Sequence, residues 1–218
     1  MTTSEDWSYQ FDLLYNNISS NQAPGLTEYE KSVFLTQAQE AVILDLYKGT
    51  LGDSFETTEE VTRYLSSLVI STPLYNIDED THNIRYIYEL PQDCWFIVYH
   101  SAKIFLDSAE LLPNSLTRDV MVVPTKHSTL TKDLNNPFRG PNKNKVLMVS
   151  EGNTLELFSK YPVSMFNIKY LKKPTPIVLE NSELDVNGVE DFNVEIPESL
   201  HNQVLIRAVQ MAKAVWAS

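Results

Sequence analysis

The chain has 218 residues, 43% of them hydrophobic, and carries 29 acidic against 17 basic side chains, a net charge of −12 at neutral pH. That length and apolar content suffice for one substantial core or two small ones and exclude a disordered chain. The acidity argues against a dedicated nucleic-acid binder, which needs a basic footprint to neutralise phosphates, and no window approaches the roughly 18 consecutive apolar residues of a membrane span.

The N-terminus, MTTSEDWSYQ, lacks the basic and apolar regions of a signal peptide, so the expectation is a protein neither exported by that route nor anchored. Cys94 is the single cysteine, which excludes an intrachain disulfide and a thiolate metal cluster. It lies in the apolar run Cys94-Trp95-Phe96-Ile97-Val98, where a buried, unreactive thiol is expected, and the composition fits a reducing compartment. Charge is unevenly spread: residues 1–60 hold eleven acids and two bases, whereas residues 118–173 hold ten bases and four acids. In a homo-oligomer such asymmetry offers complementary patches to neighbouring copies.

In chain order, a short helix is predicted from Asp6 to about Asn17, capped by Ser4, with Trp7, Phe11, Leu14 and Ile18 on one face. Thr27 and Glu30 form a capping box for a helix over 28–48, whose inner stripe reads Tyr29, Val33, Phe34, Ala38, Ala41, Val42 and Leu46, and which Gly49 ends. A second box, Thr57 with Glu60, opens a helix carrying Val61, Tyr64, Leu65 and Leu68, and Pro73 closes that region. Strands follow over 84–89, 94–106, 120–123, 146–150, 154–158 and 163–171, rich in β-branched and aromatic residues, with a hairpin at Glu151-Gly152-Asn153.

Residues 125–145 form a polar excursion expected to be a long loop or arm. Within it, Phe138 is flanked by two prolines and a glycine, with Arg139 beside it; it either anchors in another subunit's pocket or folds back on its own domain. The stretch FNIKYLKKPTPIVLE (166–180) combines the clearest alternation, Phe166, Ile168 and Tyr170, with a stop at Lys172, Lys173, Pro174 and Pro176. Two prolines remove two backbone donors, so a corner is predicted before Ile177-Val178-Leu179 resumes pairing. An acidic connector, 183–193, leads to a last helix that begins after Pro197, with Leu200, Val204, Ala208, Met211 or Ala212 and Val215 inward.

Catalytic constellations are absent from the sequence. His82, His100, His127 and His201 show no metal-ligand spacing. Asp78, Asp80 and Glu89 match three positions of a calcium loop, but Asn83 replaces the turn glycine and a strand follows, so a solvated acidic loop is expected. No phosphate loop, nucleophile elbow or kinase signature occurs, and neither an enzyme nor a cofactor is expected. Basic residues interleaved with aromatics, as in Lys160-Tyr161 and Lys169-Tyr170-Leu171-Lys172, are compatible with stacking on single-stranded nucleic acid and equally with any half-buried strand.

Five stretches resemble virion structural proteins of crAss-like short-tailed bacteriophages: LTEYEKSVFLTQAQEAVILDLYKG (26–49), LPQDCWFIV (90–98), NPFRGP (136–141), FNIKYLKKPTPIVL (166–179) and IPESLHNQVLIRAVQMAKAVW (196–216). The proteins resembled are tail ring or head-to-tail connector components, stacked below the portal as closed rings, usually with twelvefold symmetry and without enzymatic activity or cofactor. The resemblance implies a virion protein of the phage tail or neck, made in the bacterial host cytoplasm. It would line the channel through which double-stranded DNA passes without specific binding, with portal, neighbouring rings or tail proteins as partners and no membrane.

The expected architecture is therefore α+β. Residues 1–75 form a helical block, 83–180 a mostly antiparallel β region with the arm at 125–145, and 194–218 a C-terminal helix returning to the block, all in a single domain. The expected inter-subunit contact joins Asn136, Phe138, Arg139, Lys143 and Lys145 of the arm, with Lys172 and Lys173 of the corner, to a neighbour or the next ring, the acidic helical block supplying complementarity of sign and excess acidity facing the lumen. The competing expectation is an accessory virion protein that contacts single-stranded nucleic acid or a cargo protein without forming a ring.

Overall fold

The structure, a computed structural model, describes residues 3–18, 25–49, 63–80, 85–106, 116–179 and 194–216. The chain is α+β and divides into two compact units, Met1–Leu68 with Lys173–Ser218, and Val69–Lys172. The first is helical and the second is built on a sheet.

The helical unit contains α1 (Ser4–Ile18), α2 (Glu28–Lys48) and a C-terminal helix, Glu198–Trp216, that packs on both. Thr3, rather than Ser4, caps α1: its hydroxyl accepts the Asp6 N–H at 3.2 Å while Asp6 Oδ2 accepts the Thr3 N–H at 3.0 Å. Hydrogen bonding of the Asp6 carboxyl to the Thr3 backbone N–H, and secondarily to the Thr3 side chain, holds it below its ordinary pKa. Trp7, Phe11 and Tyr15 form the buried face, with the Trp7 and His201 rings 5.0 Å apart. Around α2 the Thr27–Glu30 box and Gly49, at φ 69°, stand where the sequence places them. The buried stripe differs: Leu35, Ala38, Gln39, Val42, Ile43 and Leu46 face inward, while Tyr29, Val33 and Phe34 do not. Val33 and Phe34 are half-buried and Tyr29 is exposed, so this second apolar stripe is only partly covered within its own unit. The helix predicted from Thr57 falls largely outside the described residues; residues 63–65 are helical, and Leu65 and Leu68 are buried.

After the second unit, residues 173–179 do not resume strand pairing as the sequence reading expects. They run extended along α2 and bond to its side chains. Ser32 Oγ accepts the Leu179 N–H at 3.0 Å and donates to Glu28 O. Thr36 Oγ1 accepts the Ile177 N–H at 3.1 Å, and Glu40 pairs with Lys173 Nζ at 3.0 Å. A helix advances about 6 Å in four residues and an extended chain about the same in two, so Ser32 and Thr36, one turn apart, meet Leu179 and Ile177, while the Thr175 N–H goes to Glu195 Oε2 at 3.0 Å. Pro174 and Pro176 occupy positions between those donors and remove N–H groups that α2 has no means to satisfy. Ser32→Ala is expected to leave the Leu179 N–H buried without an acceptor, costing about 1–3 kcal/mol, whereas Thr36→Ser keeps its bond and costs less. Urea unfolding followed by far-UV circular dichroism measures this; an unchanged midpoint for Ser32→Ala would remove the ladder from the account.

The sheet unit has eight strands: β1 (Val69–Leu74), β2 (Asn76–Asp80), β3 (Arg85–Glu89), β4 (Cys94–Phe105), β5 (Thr117–Pro124), β6 (Lys145–Glu151), β7 (Thr154–Phe158) and β8 (Val163–Lys172). Their order is β1-β8-β4-β5-β6-β7-β3-β2. Glu151 pairs with Thr154, leaving Gly152 (φ 57°) and Asn153 as a two-residue hairpin loop. Leu74 at one edge and Tyr86 and Tyr88 near the other share one buried cluster with Phe166 and Ile168, so the sheet curls around its core. Phe166 closes the curl, opposite Leu74 of β1 and Ala102 of β4, with its ring 5.0 Å from that of Tyr88 on β3. Glu156, buried on β7, pairs with Arg85 on β3.

Both edge strands lie outside the sequence prediction. Pro73 in β1 is tolerated because an edge strand needs only half its donors. In β2, Asp78 and Asp80 pair opposite Ile87 and Arg85 of β3, so the acidic stretch expected as a loop is a strand, and its charges suit an edge. The polar excursion also differs from expectation. Among the described strands only β5 and β6 run parallel, and a parallel pair needs a crossover of a dozen or more residues. The crossover contains α3 (His127–Leu134), whose Leu130 and Leu134 rest on Leu147, Val149 and Phe158. The C-terminal helix, Glu198–Trp216, is α4.

Candidate assembly surface

Between α3 and β6 the chain makes a turn whose backbone is bonded at successive positions. Asn136 Oδ1 accepts the N–H groups of Phe138 at 2.9 Å and Arg139 at 3.2 Å, and Asn136 O accepts the Gly140 N–H at 2.7 Å. Lys145 Nζ donates to Phe138 O at 3.1 Å. Asn142 and Lys145 exchange backbone bonds, and Arg118 Nη1 donates to Asn144 Oδ1 at 2.9 Å. Gly140 is required by space: a Cβ there would lie 2.9 Å from Asn136 O and 3.1 Å from both Asp133 O and Leu134 O, all of them backbone.

The turn holds Phe138 out into solvent. Its side chain is 90% exposed, so it does not fold back on its own unit. Arg139 is 75% exposed and only loosely paired, 3.8 Å from Asp133. Asn136 thus builds the turn, Lys145 braces it, and Phe138, Arg139 and the exposed Lys143 are what it presents. Lys172 and Lys173 are not part of this turn. Lys172 ends β8 opposite Cys94, and Lys173 opens the helical-unit segment with Glu40 as its partner.

Charge follows the two units. Of the 29 acids and 17 bases, 18 and 6 lie in the helical unit and 11 and 11 in the sheet unit, so the helical unit carries the whole net charge and the sheet unit none. Nine of the sheet unit's eleven bases lie from Arg118 onward, and three of them, Arg139, Lys143 and Lys145, belong to the turn.

Burial, with help from Asp93, pushes the Cys94 pKa up, which keeps it a thiol rather than a nucleophilic thiolate at neutral pH. Burial also raises Tyr170 to about 12, assisted by its 3.0 Å hydrogen bond to Asp93. Among the described residues no cluster of His, Cys, Asp or Glu could hold a metal ion, and no helix is long and apolar enough to cross a membrane.

The profile of the family described as phage tail ring protein 3/4 matches residues 1–217. The chain belongs to that family. Ring protein 3 of Bacteroides phage crAss001 is 38% identical over 225 residues, spanning 96% of this chain and 94% of that protein. Ring protein 4/5 of the same phage is 28% identical over 234 residues, spanning 97% and 92%. The chain is accordingly a phage tail ring protein, a structural component of the virion. The projecting Phe138 was legible as a stiff aromatic between prolines. The second apolar face of α2, formed by Tyr29, Val33 and Phe34, was misassigned to the core because helical spacing alone does not say which of two faces is covered.

Proposed function

We propose that this tail ring protein forms a closed homo-oligomeric ring of about twelve copies in the head-to-tail connector or tail barrel. The ring lines the DNA channel and links portal to tail, directly or through neighbouring rings, and DNA passes during ejection without specific binding. The turn carrying Phe138, Arg139 and Lys143 makes a contact with the next copy. One observation carries this reading: a large apolar side chain, 90% exposed, is held outward by a turn whose backbone is bonded on both sides of it. A rigid aromatic beside a cation has the makings of an interface anchor. The −12 of the helical unit supplies the opposite sign to the bases at the turn, and acid facing the lumen would keep DNA from adhering.

Light scattering on the purified protein, alone and with purified portal, tests the reading. A closed oligomer is expected for the wild type, and Phe138→Ala combined with Arg139→Glu is expected to reduce assembly by about thirtyfold or more in half-assembly concentration. A wild-type monomer that ignores portal and binds single-stranded DNA, with affinity falling linearly in log salt, would replace it with the accessory-binder reading.

A further inference from the structure

The helical unit has a groove between the start of α2 and the end of α4. Leu26, Tyr29, Val33 and Phe34 form one wall and Val215 the other, with Glu30 at the lip. The groove measures about 150 Å³. Tyr29 is 41% and Val215 59% exposed, so these apolar side chains stand open to solvent on the unit that carries the chain's net negative charge. An apolar groove of this kind on a strongly charged surface calls for an occupant.

We propose that the occupant is Phe138 of a second copy of this chain. The inference rests on the ring reading above and names the two halves of its contact. Size supports it, since a cavity of roughly 150 Å³ lined by aliphatic and aromatic groups admits a benzene ring. Charge supports it as well. Arg139 follows Phe138 and is held only loosely by Asp133, 3.8 Å away. Glu30 uses one carboxylate oxygen, Oε2, for both bonds to Thr27, which leaves Oε1 for an incoming guanidinium at the groove's lip. Anchor and groove are different patches of one chain, so the contact can run head to tail as the ring reading requires, each copy giving Phe138 to one neighbour and receiving it from another. Such contacts close into rings when the rotation between copies permits and otherwise run on as filaments.

Two measurements on the full-length protein test the proposal. Val215→Arg places a long charged side chain at an exposed position, where circular dichroism should remain native, and is expected to raise the half-assembly concentration about thirtyfold, like Phe138→Ala. With the photoreactive benzoylphenylalanine in place of Phe138, irradiation of the assembled protein should cross-link it to residues 26–34 or to the last turn of α4 in another copy. If Val215→Arg assembles like the wild type, or the cross-links fall elsewhere in an assembled ring, the groove assignment is overturned and the ring reading stands. If the wild type stays monomeric alone and with portal, both fall together.

Discussion

Phe166→Ala is expected to destabilise the sheet unit by about 3–5 kcal/mol, the cost of emptying a large, fully buried aromatic site. The side chain has no exposure and stands at the meeting point of the curl, between Leu74 and Ala102 on its flanks and Tyr88 across the core. Its neighbours are anchored on three other strands, so collapse into the gap would require the sheet to flatten. The Tyr88 contact alone is worth about 0.5–1.5 kcal/mol, which a double-mutant cycle with Tyr88→Leu should recover. Amide hydrogen exchange is the suitable measurement, because it separates protection lost within residues 69–172 from protection kept in the helices. A loss below about 1 kcal/mol would show that Phe166 does not close the curl.

The second large effect concerns Lys31, only 4% exposed, whose ammonium holds α2 to α1 through Asp12 at 2.7 Å and Ser8 at 3.0 Å and also bonds Glu28 of its own helix at 3.0 Å. Removing both carboxylates, by Asp12→Ala with Glu28→Ala, strands a buried cation and is expected to cost about 3 kcal/mol. That is the low end for a buried pair, because both carboxylates are half-exposed. Lys31→Met should cost about 1 kcal/mol or less, because water can reach the acids it leaves behind. Equal losses for the two variants would contradict this asymmetry.

The same group sets a pH dependence. Burial, the largest single influence, pulls the Lys31 pKa down, but the hydrogen bonds and charges of Asp12 and Glu28 together raise it above the ordinary lysine value. Tyr170 is likewise raised, to about 12. A folded-state pKa above the unfolded one gives stability that is complete below the unfolded value and lost as pH climbs through the folded value. These two groups therefore leave stability flat between about pH 7 and 9 and erode it from about pH 10 upward. Unfolding midpoints measured across that range check this; a decline already under way at pH 8 would point to other groups.

Elements whose signals are local were legible in the sequence. The Thr27–Glu30 box, Gly49 and the Gly152-Asn153 loop each depend on a few adjacent residues, and β3 to β8 announce themselves by β-branched and aromatic runs. What was not legible depends on partners distant in sequence. Strand β1 contains Pro73 and exists because β8 lies beside it, while β2 is an acidic edge with little alternation to read. Helix α3 follows from the parallel pairing of β5 with β6, which no short window encodes. Ile177 and Leu179 look like strand residues and find their acceptors on a helix some 140 residues earlier. At the candidate assembly surface, Asn136 and Lys145 were grouped with Phe138 as contact residues, whereas the structure uses them to hold Phe138 in place. Lys173 was grouped with them too and is paired within the helical unit.

Val69 is paired with Leu171, so the chain enters the sheet unit and leaves it at neighbouring positions on adjacent strands. Topologically the sheet unit is a cassette inserted into a helical host through a two-stranded doorway. Because its ends already meet, the cassette can be excised, or exchanged for a homologous one, by a single pair of genetic crossovers, without stretching either part. Such an exchange would swap the surface that projects Phe138 and leave the helical host intact.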